Sequence, residues 1–118
     1  MENEMTKFAQ KTCFACQFDA EPATQHEIDT FLTNNLEWTL VSKNDIKCIE
    51  RVYKFDNFQD ALRFTNLVGD VAEQEGHHPA ITTEWGSVGV KWWSHKIANL
   101  HLNDLILAAR CDDRYAKM

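Results

Sequence analysis

An α+β fold, a four-stranded antiparallel sheet with three helices packed on one face in the order α-β-β-α-β-β-α, is what three observations predict. Three stretches carry helix caps or apolar residues at three-to-four spacing. Between them lie two pairs of alternating runs rich in strand formers, and a turn of hairpin length joins the members of each pair.

The first helix is placed at about Thr24 to Asn35. Thr24-Gln-His-Glu27 has the capping-box pattern, and Ile28, Phe31, Leu32 and Leu36 follow on one apolar face. Residues 1–23 before it read as an irregular segment. From Trp38 to Phe55 the residues alternate, and Lys43-Asn44-Asp45 supplies the turn of a β-hairpin. Asn57 can cap a second helix whose Phe58, Ala61, Leu62, Thr65, Val68 and Ala72 keep helical spacing. Gly76 ends it in a left-handed conformation, which puts Glu73 in its last turn.

Two more strands are expected at His78–Trp85 and Val88–His95. In the second, Val88, Val90 and Trp92 point one way, while Lys91, Trp93 and His95 point the other, so His95 leaves the core face. Lys96 to Leu102 reads as a loop. Leu105, Ile106 and Ala109 then mark the last helix, with Asp104 in its first turn. Helices on one face leave the other face of the sheet for a ligand or a partner.

At 118 residues and 44% apolar content the chain is long enough for one core and too short for two ordinary domains, so a single domain over 1–118 is expected. A formal charge of −6 without a basic stripe argues against nucleic-acid binding. No apolar run is long enough to span a membrane, and the start Met-Glu-Asn-Glu-Met lacks the pattern of a signal peptide. A cytoplasmic protein is expected, with Cys13, Cys16, Cys48 and Cys111 as reduced thiols, the last two in the core. Cys13-x-x-Cys16 could supply half of a closed zinc site, but no second pair completes it.

Chemistry concentrates in Glu73-Gln-Glu-Gly-His77-His78-Pro79. Adjacent imidazoles near a carboxylate can hold one ring neutral and one protonated, an acid and a base in one place. Paired histidines also occur on ordinary surface loops. Here Pro79 fixes its own φ and drives His78 towards extended geometry, which constrains the pair. His26 and His101 sit at helix starts and read as surface or capping residues.

Downstream of Pro79, five residues precede Trp85, nine more precede His95, and eight more precede Asp104. The set Glu73, His77, His78, Pro79, Trp85, His95 and Asp104 resembles, position by position, the signature of the pterin-4a-carbinolamine dehydratases. The likeness covers most of the chain and is sharpest from Glu73 to Asp104. The wording Thr83-Glu84-Trp85-Gly86 and Trp92-Trp93-Ser94-His95, with Cys13-Phe-Ala-Cys16, is most similar to the bacterial branch associated with phenylalanine hydroxylation.

That resemblance implies the same four-stranded fold, assembled as a homodimer or homotetramer. It implies a lyase that dehydrates a 4a-hydroxytetrahydropterin, such as 4a-hydroxytetrahydrobiopterin, to the quinonoid dihydropterin, recycling the pterin of an aromatic amino acid hydroxylase. The pterin is then substrate, and an acid and a base suffice without metal or redox cofactor. By resemblance, His77, His78 and His95 surround the carbinolamine, while backbone around His77 to Pro79 and Ser94, His95, Lys96 and Ile97 holds the pterin. One of His78 and His95 would protonate the leaving hydroxyl, and His77 would chiefly position substrate. Asp104 would orient or charge-stabilise an imidazole, and Glu73 would be an outer partner.

The chain departs from the family pattern at Ala98-Asn99, where members often carry Gly-Gly, and at Asn103, where they often carry Arg; both bear on the substrate loop. Trp85 stands where many members have tyrosine and is expected to pack. Trp92 is assigned to the core and Trp93 to the pocket or a subunit partner. Two other functions compete. His77, His78 and His95 could ligate zinc, although adjacent residues on extended backbone diverge. Alternatively the chain could be an interaction module, because animal relatives also serve as dimerisation cofactors for a transcription factor.

Overall fold

The computed structural model describes residues 21–118, and the expectations for Cys13, Cys16 and the segment before residue 21 lie outside them. The elements are α1 (Gln25–Asn34), β1 (Thr39–Lys43), β2 (Ile46–Lys54), α2 (Phe58–Glu75), β3 (Ala80–Glu84), β4 (Ser87–Trp92) and α3 (Leu102–Ala116). Their order is the expected α-β-β-α-β-β-α. The sheet runs β1-β2-β4-β3 with every neighbouring pair antiparallel.

Local chemistry sets the helix ends. Thr24 Oγ1 accepts from the Glu27 N–H at 3.1 Å while Glu27 Oε1 accepts from the Thr24 N–H at 2.8 Å, a closed capping box. Asn57 Oδ1 caps α2 by accepting from Asp60 N–H at 2.7 Å. In the β1–β2 turn, Asn44 and Asp45 take φ of 53° and 65°, the left-handed pair that matches strand twist in a two-residue hairpin.

Strand alternation divides the sheet into two unlike faces. Ile49, Tyr53, Val88, Val90 and Trp92 point inward and are fully or almost fully buried against Phe64 and Val68 of α2 and Leu105 and Ile106 of α3. Each such aliphatic side chain contributes about 2 kcal/mol by leaving water. The opposite face carries Val52, Thr82, Gly89 and Lys91, and none of the helices among the described residues packs on it.

A polar knot lies within the aromatic part of the core. Asp112 of α3 accepts from Tyr53 Oη at 2.6 Å, Arg51 Nη1 at 2.8 Å and Trp38 Nε1 at 2.8 Å. Burial raises the Asp112 carboxyl above the ordinary value, and the three donors act against that rise. The Arg51 guanidinium also lies over the Tyr53 ring, 4.4 Å from its centroid. These bonds fasten β2 and the start of β1 to the last helix.

Several sequence expectations need correction. Leu36 is 83% exposed, because Asn35 leaves helical geometry at φ −137° and ends α1 before Leu36 can join its apolar face. The strands expected at His78–Trp85 and Val88–His95 are shorter at their outer ends, and α3 begins at Leu102 rather than after it. Trp85 does not pack: it sits in the β3–β4 turn, 72% exposed, with Gly86 at φ 75°.

Candidate functional site

The site is built where α2 ends. Gly76 takes φ 62°, a conformation that a side chain disfavours, and the following His77 N–H returns to the Ala72 carbonyl at 3.1 Å. This reversal turns His77 inward. Its ring lies parallel to Trp92, 4° between planes and 5.7 Å between centroids, and His77 Nε2 is 2.6 Å from Asp104 Oδ1.

Asp104 is fully buried and holds more than the imidazole. Its Oδ2 accepts from Ser94 Oγ at 2.8 Å and from the His101 N–H at 2.9 Å. His101 caps α3 in turn, its Nδ1 accepting from Asn103 N–H at 3.0 Å. A carboxylate in the first turn of a helix is also favoured by the helix dipole. One carboxylate therefore joins three chain segments: the exit from α2, the exit from β4, and the start of α3.

The residues that follow His77 and Ser94 are the exposed His78 and His95. His78 Nε2 lies 2.6 Å from Glu73 Oε1 in the last turn of α2. The His95 ring stacks on Trp93, centroids 4.4 Å apart. From Ser94 to Asn99 the chain closes a short loop that carries His95. Ser94 and Asn99 exchange backbone bonds, with Ser94 N–H to Asn99 O at 2.9 Å, and Ala98 N–H reaches His95 O at 3.3 Å. Ala98 adopts φ 50° inside this loop.

The seven residues of the signature thus fall into distinct environments. His77 and Asp104 form a buried pair, His78 and Glu73 an exposed pair, and His95 is exposed on an aromatic shelf. Pro79 and Ile97 are half-buried and Lys96 is exposed. Trp85 lies in the far turn of the β3–β4 hairpin. Ser94 spends its hydroxyl on Asp104 and its backbone groups on Asn99, leaving His95 to Ile97 as the outward part of the loop. Among the described residues, no three His, Cys, Asp or Glu side chains converge as a metal ion would require.

The stacking of His77 on Trp92 and of His95 on Trp93 had only a faint signal in the sequence. Consecutive tryptophans on a strand must face opposite ways, so each can serve one imidazole from its own side of the sheet. Nothing in the spacing pairs a given ring with a given histidine.

A family model described as Pterin 4 alpha carbinolamine dehydratase matches residues 21–114. The chain belongs to the pterin 4 alpha carbinolamine dehydratase family. Among similar proteins, one from Microcystis aeruginosa, provisionally named a pterin-4-alpha-carbinolamine dehydratase, is 48% identical over 111 residues, 94% of this chain and 96% of that protein. One from Marinobacter nauticus with the same provisional name is also 48% identical over 111 residues, covering 94% of this chain and all of the relative. The crystal structure of a transcriptional coactivator/pterin dehydratase from Brucella melitensis superposes with a TM-score of 0.70 at 22% identity, over 79% of this chain and 97% of that one. At that identity the likeness speaks for the dehydratase fold alone. The matched span, 21–114, includes every residue of the His77–Asp104–Ser94 clamp.

Proposed function

We propose that this chain dehydrates pterin 4a-carbinolamines by histidine acid–base catalysis, returning a quinonoid dihydropterin and water. Family membership supports the reaction class. The observation that carries the reading is the Asp104 clamp, which fixes the two segments bearing His78 and His95 through their immediate neighbours His77 and Ser94.

The reaction moves two protons and no redox electrons. An acid protonates the C4a hydroxyl, the C–O bond breaks to release water, the N5 lone pair forms the C4a=N5 bond, and a base removes the N5 proton. His78 suits either role. A carboxylate at Nε2 keeps a proton on that nitrogen, so Nδ1 accepts a proton when the ring is neutral and gives one when it is charged. His95, held by Trp93, takes the complementary role. His77 acts by position: its ring is buried and locked to Asp104, and it sets the backbone that carries His78. Such a pair needs no metal or redox cofactor.

In this reading the enzyme works in the cytoplasm as a homodimer or homotetramer and serves an aromatic amino acid hydroxylase, phenylalanine hydroxylase first, by recycling its pterin. A second reading, protein interaction without turnover, is favoured by one observation. Trp85 in the β3–β4 turn is 72% exposed and Phe58 and Leu62 of α2 are 43% and 44% exposed, and the Phe55 N–H to Gly86 O bond, 2.9 Å, ties that turn to the segment leading into α2.

Stopped-flow absorbance of freshly generated 4a-hydroxytetrahydropterin separates the two. Acceleration that resists chelators and falls in both His78→Ala and His95→Ala is the expected result. A wild-type rate equal to the spontaneous one would overturn the enzyme assignment, and loss of turnover on chelation would favour the three-histidine zinc site.

A further inference from the structure

The open face of the sheet holds a cavity of about 200 Å³ lined by Lys43, Asn44, Ile46, Cys48, Ala80, Lys91 and Trp93. Two of these residues tie it to the reaction site. Trp93 stacks on His95, and Ala80 stands two residues from His78 and pairs with Lys91 across the β3–β4 ladder. A pterin held between His78 and His95 therefore has this cavity as its neighbour on the open face.

The lining has two characters. Ile46, Cys48, Ala80 and the Trp93 ring give an apolar wall, and Lys43 and Lys91 add two ammonium groups. Lys91 is partly answered by Glu50, whose carboxylate is 3.6 Å away. Lys43 stands at the start of the hairpin turn and is exposed. Beyond Ala80 and Lys91 the same face continues as a groove lined by Glu50, Val52, Thr82, Glu84, Ser87 and Gly89. Two carboxylates there repel an anion, so the field along the face directs a negative group towards Lys43. A volume of about 200 Å³ is ample for a short substituent.

We infer that this cavity is a subsite for the substituent the pterin carries beyond its reacting ring, and that Lys43 and Lys91 make it select substituents ending in a carboxylate or another anion. The inference rests on the dehydratase reading and deepens it, naming a substrate preference. Trp93 does two things in this arrangement: its ring stacks on His95 and the residue lines the subsite. Cys48 is buried without belonging to the main core, because it faces this cavity from the opposite side of β2 to Ile49.

The test uses the full chain and three 4a-hydroxytetrahydropterins that differ only at the substituent: methyl, dihydroxypropyl, and a chain of similar length ending in a carboxylate. For the wild type we expect a KM for the carboxylate substrate roughly three- to tenfold below that for the methyl substrate, with similar kcat, the range of partly exposed charge-assisted contacts. In Lys43→Gln, and separately in Lys91→Gln, that KM ratio should fall towards one, and the wild-type ratio should shrink at high salt. A wild-type ratio near one, or a ratio that survives both substitutions, overturns the subsite while turnover of the methyl substrate leaves the dehydratase reading intact. Absence of turnover with all three substrates would instead strike the reading on which the subsite rests.

Discussion

Asp104 Oδ1 lies 2.6 Å from His77 Nε2, with both side chains removed from water, and the second oxygen of the same carboxylate holds Ser94 and the backbone of His101. An ionised carboxylate in that position must be repaid by its partners, because burying it unpaired would cost several kcal/mol. Its three donors supply the repayment, and they come from the three segments that carry the candidate site.

Asp104→Ala should therefore damage stability and activity together. Removing the acceptor leaves His77 and Ser94 buried without their partner, at a cost of about 3 kcal/mol in urea unfolding. Asp104→Asn keeps the shape and should cost less stability while still lowering kcat roughly tenfold or more, since a neutral amide cannot hold the imidazole as the carboxylate does. An Asp104→Asn enzyme with wild-type kcat would remove Asp104 from the positioning of the site.

The exposed pair behaves differently. His78→Ala and Glu73→Gln should each change stability by no more than about 0.5 kcal/mol, because the bond between them lies at the surface. Activity separates them. His78→Ala should lose roughly a hundredfold in kcat if it transfers a proton, while Glu73→Gln should lose less and shift the pH profile of kcat. Equal losses in the two variants would show that Glu73 and His78 act as one proton-transferring unit and would end the reading of Glu73 as an outer partner.

What the sequence disclosed and what it hid differ in range along the chain. Thr24 with Glu27, Asn57 with Asp60, and Gly76 act on groups within five residues, and the caps they predict are present. The strands around His78 and His95 are shorter than alternation suggests, because His77 and Ser94 give their polar groups to Asp104 and Asn99 instead of to a ladder. Asn99 stands five positions from Ser94, and Asp104 stands ten from Ser94 and 27 from His77, pairings that strand spacing does not report. Asp112 was missed for a related reason. It stands eight residues after Asp104 on the same buried side of α3, where an apolar residue would ordinarily be expected, and its partners Trp38, Arg51 and Tyr53 are some 60 to 75 residues distant.

Ala98 carries the departure from the family's frequent Gly-Gly into a measurable strain. At φ 50° a Cβ crowds the following carbonyl at a cost of about 1 kcal/mol, partly offset because Gly loses more chain entropy on folding. Ala98→Gly should accordingly stabilise the protein by about 0.5 kcal/mol, and Ala98→Val should destabilise it by about 1 kcal/mol or more. Urea midpoints decide the matter. A less stable Ala98→Gly would mean that loop entropy outweighs the backbone strain.

Alkaline unfolding should expose the buried thiol of Cys111. Burial raises it far above the ordinary 9.0, with Asp112 adding to the rise, and burial likewise raises Cys48. Tyr53 is raised well above 10.0 by burial and by Asp112. A group whose folded pKa exceeds its unfolded value binds its proton more tightly in the native state. Its contribution is whole below the unfolded pKa and is lost as pH rises beyond it, up to the folded pKa. Stability should therefore be flat with respect to Cys111 below about pH 8 and fall above pH 9, by about 1.4 kcal/mol per pH unit once the unfolded thiol is fully ionised. Comparing urea unfolding of wild type and Cys111→Ala from pH 7 to pH 10.5 isolates the effect, because the substitution should remove one proton's worth of that slope while adding a cavity cost that does not change with pH. Parallel curves for the two proteins would show that the native thiol ionises as readily as the unfolded one, and that the wall of Trp92 and α3 around it admits water.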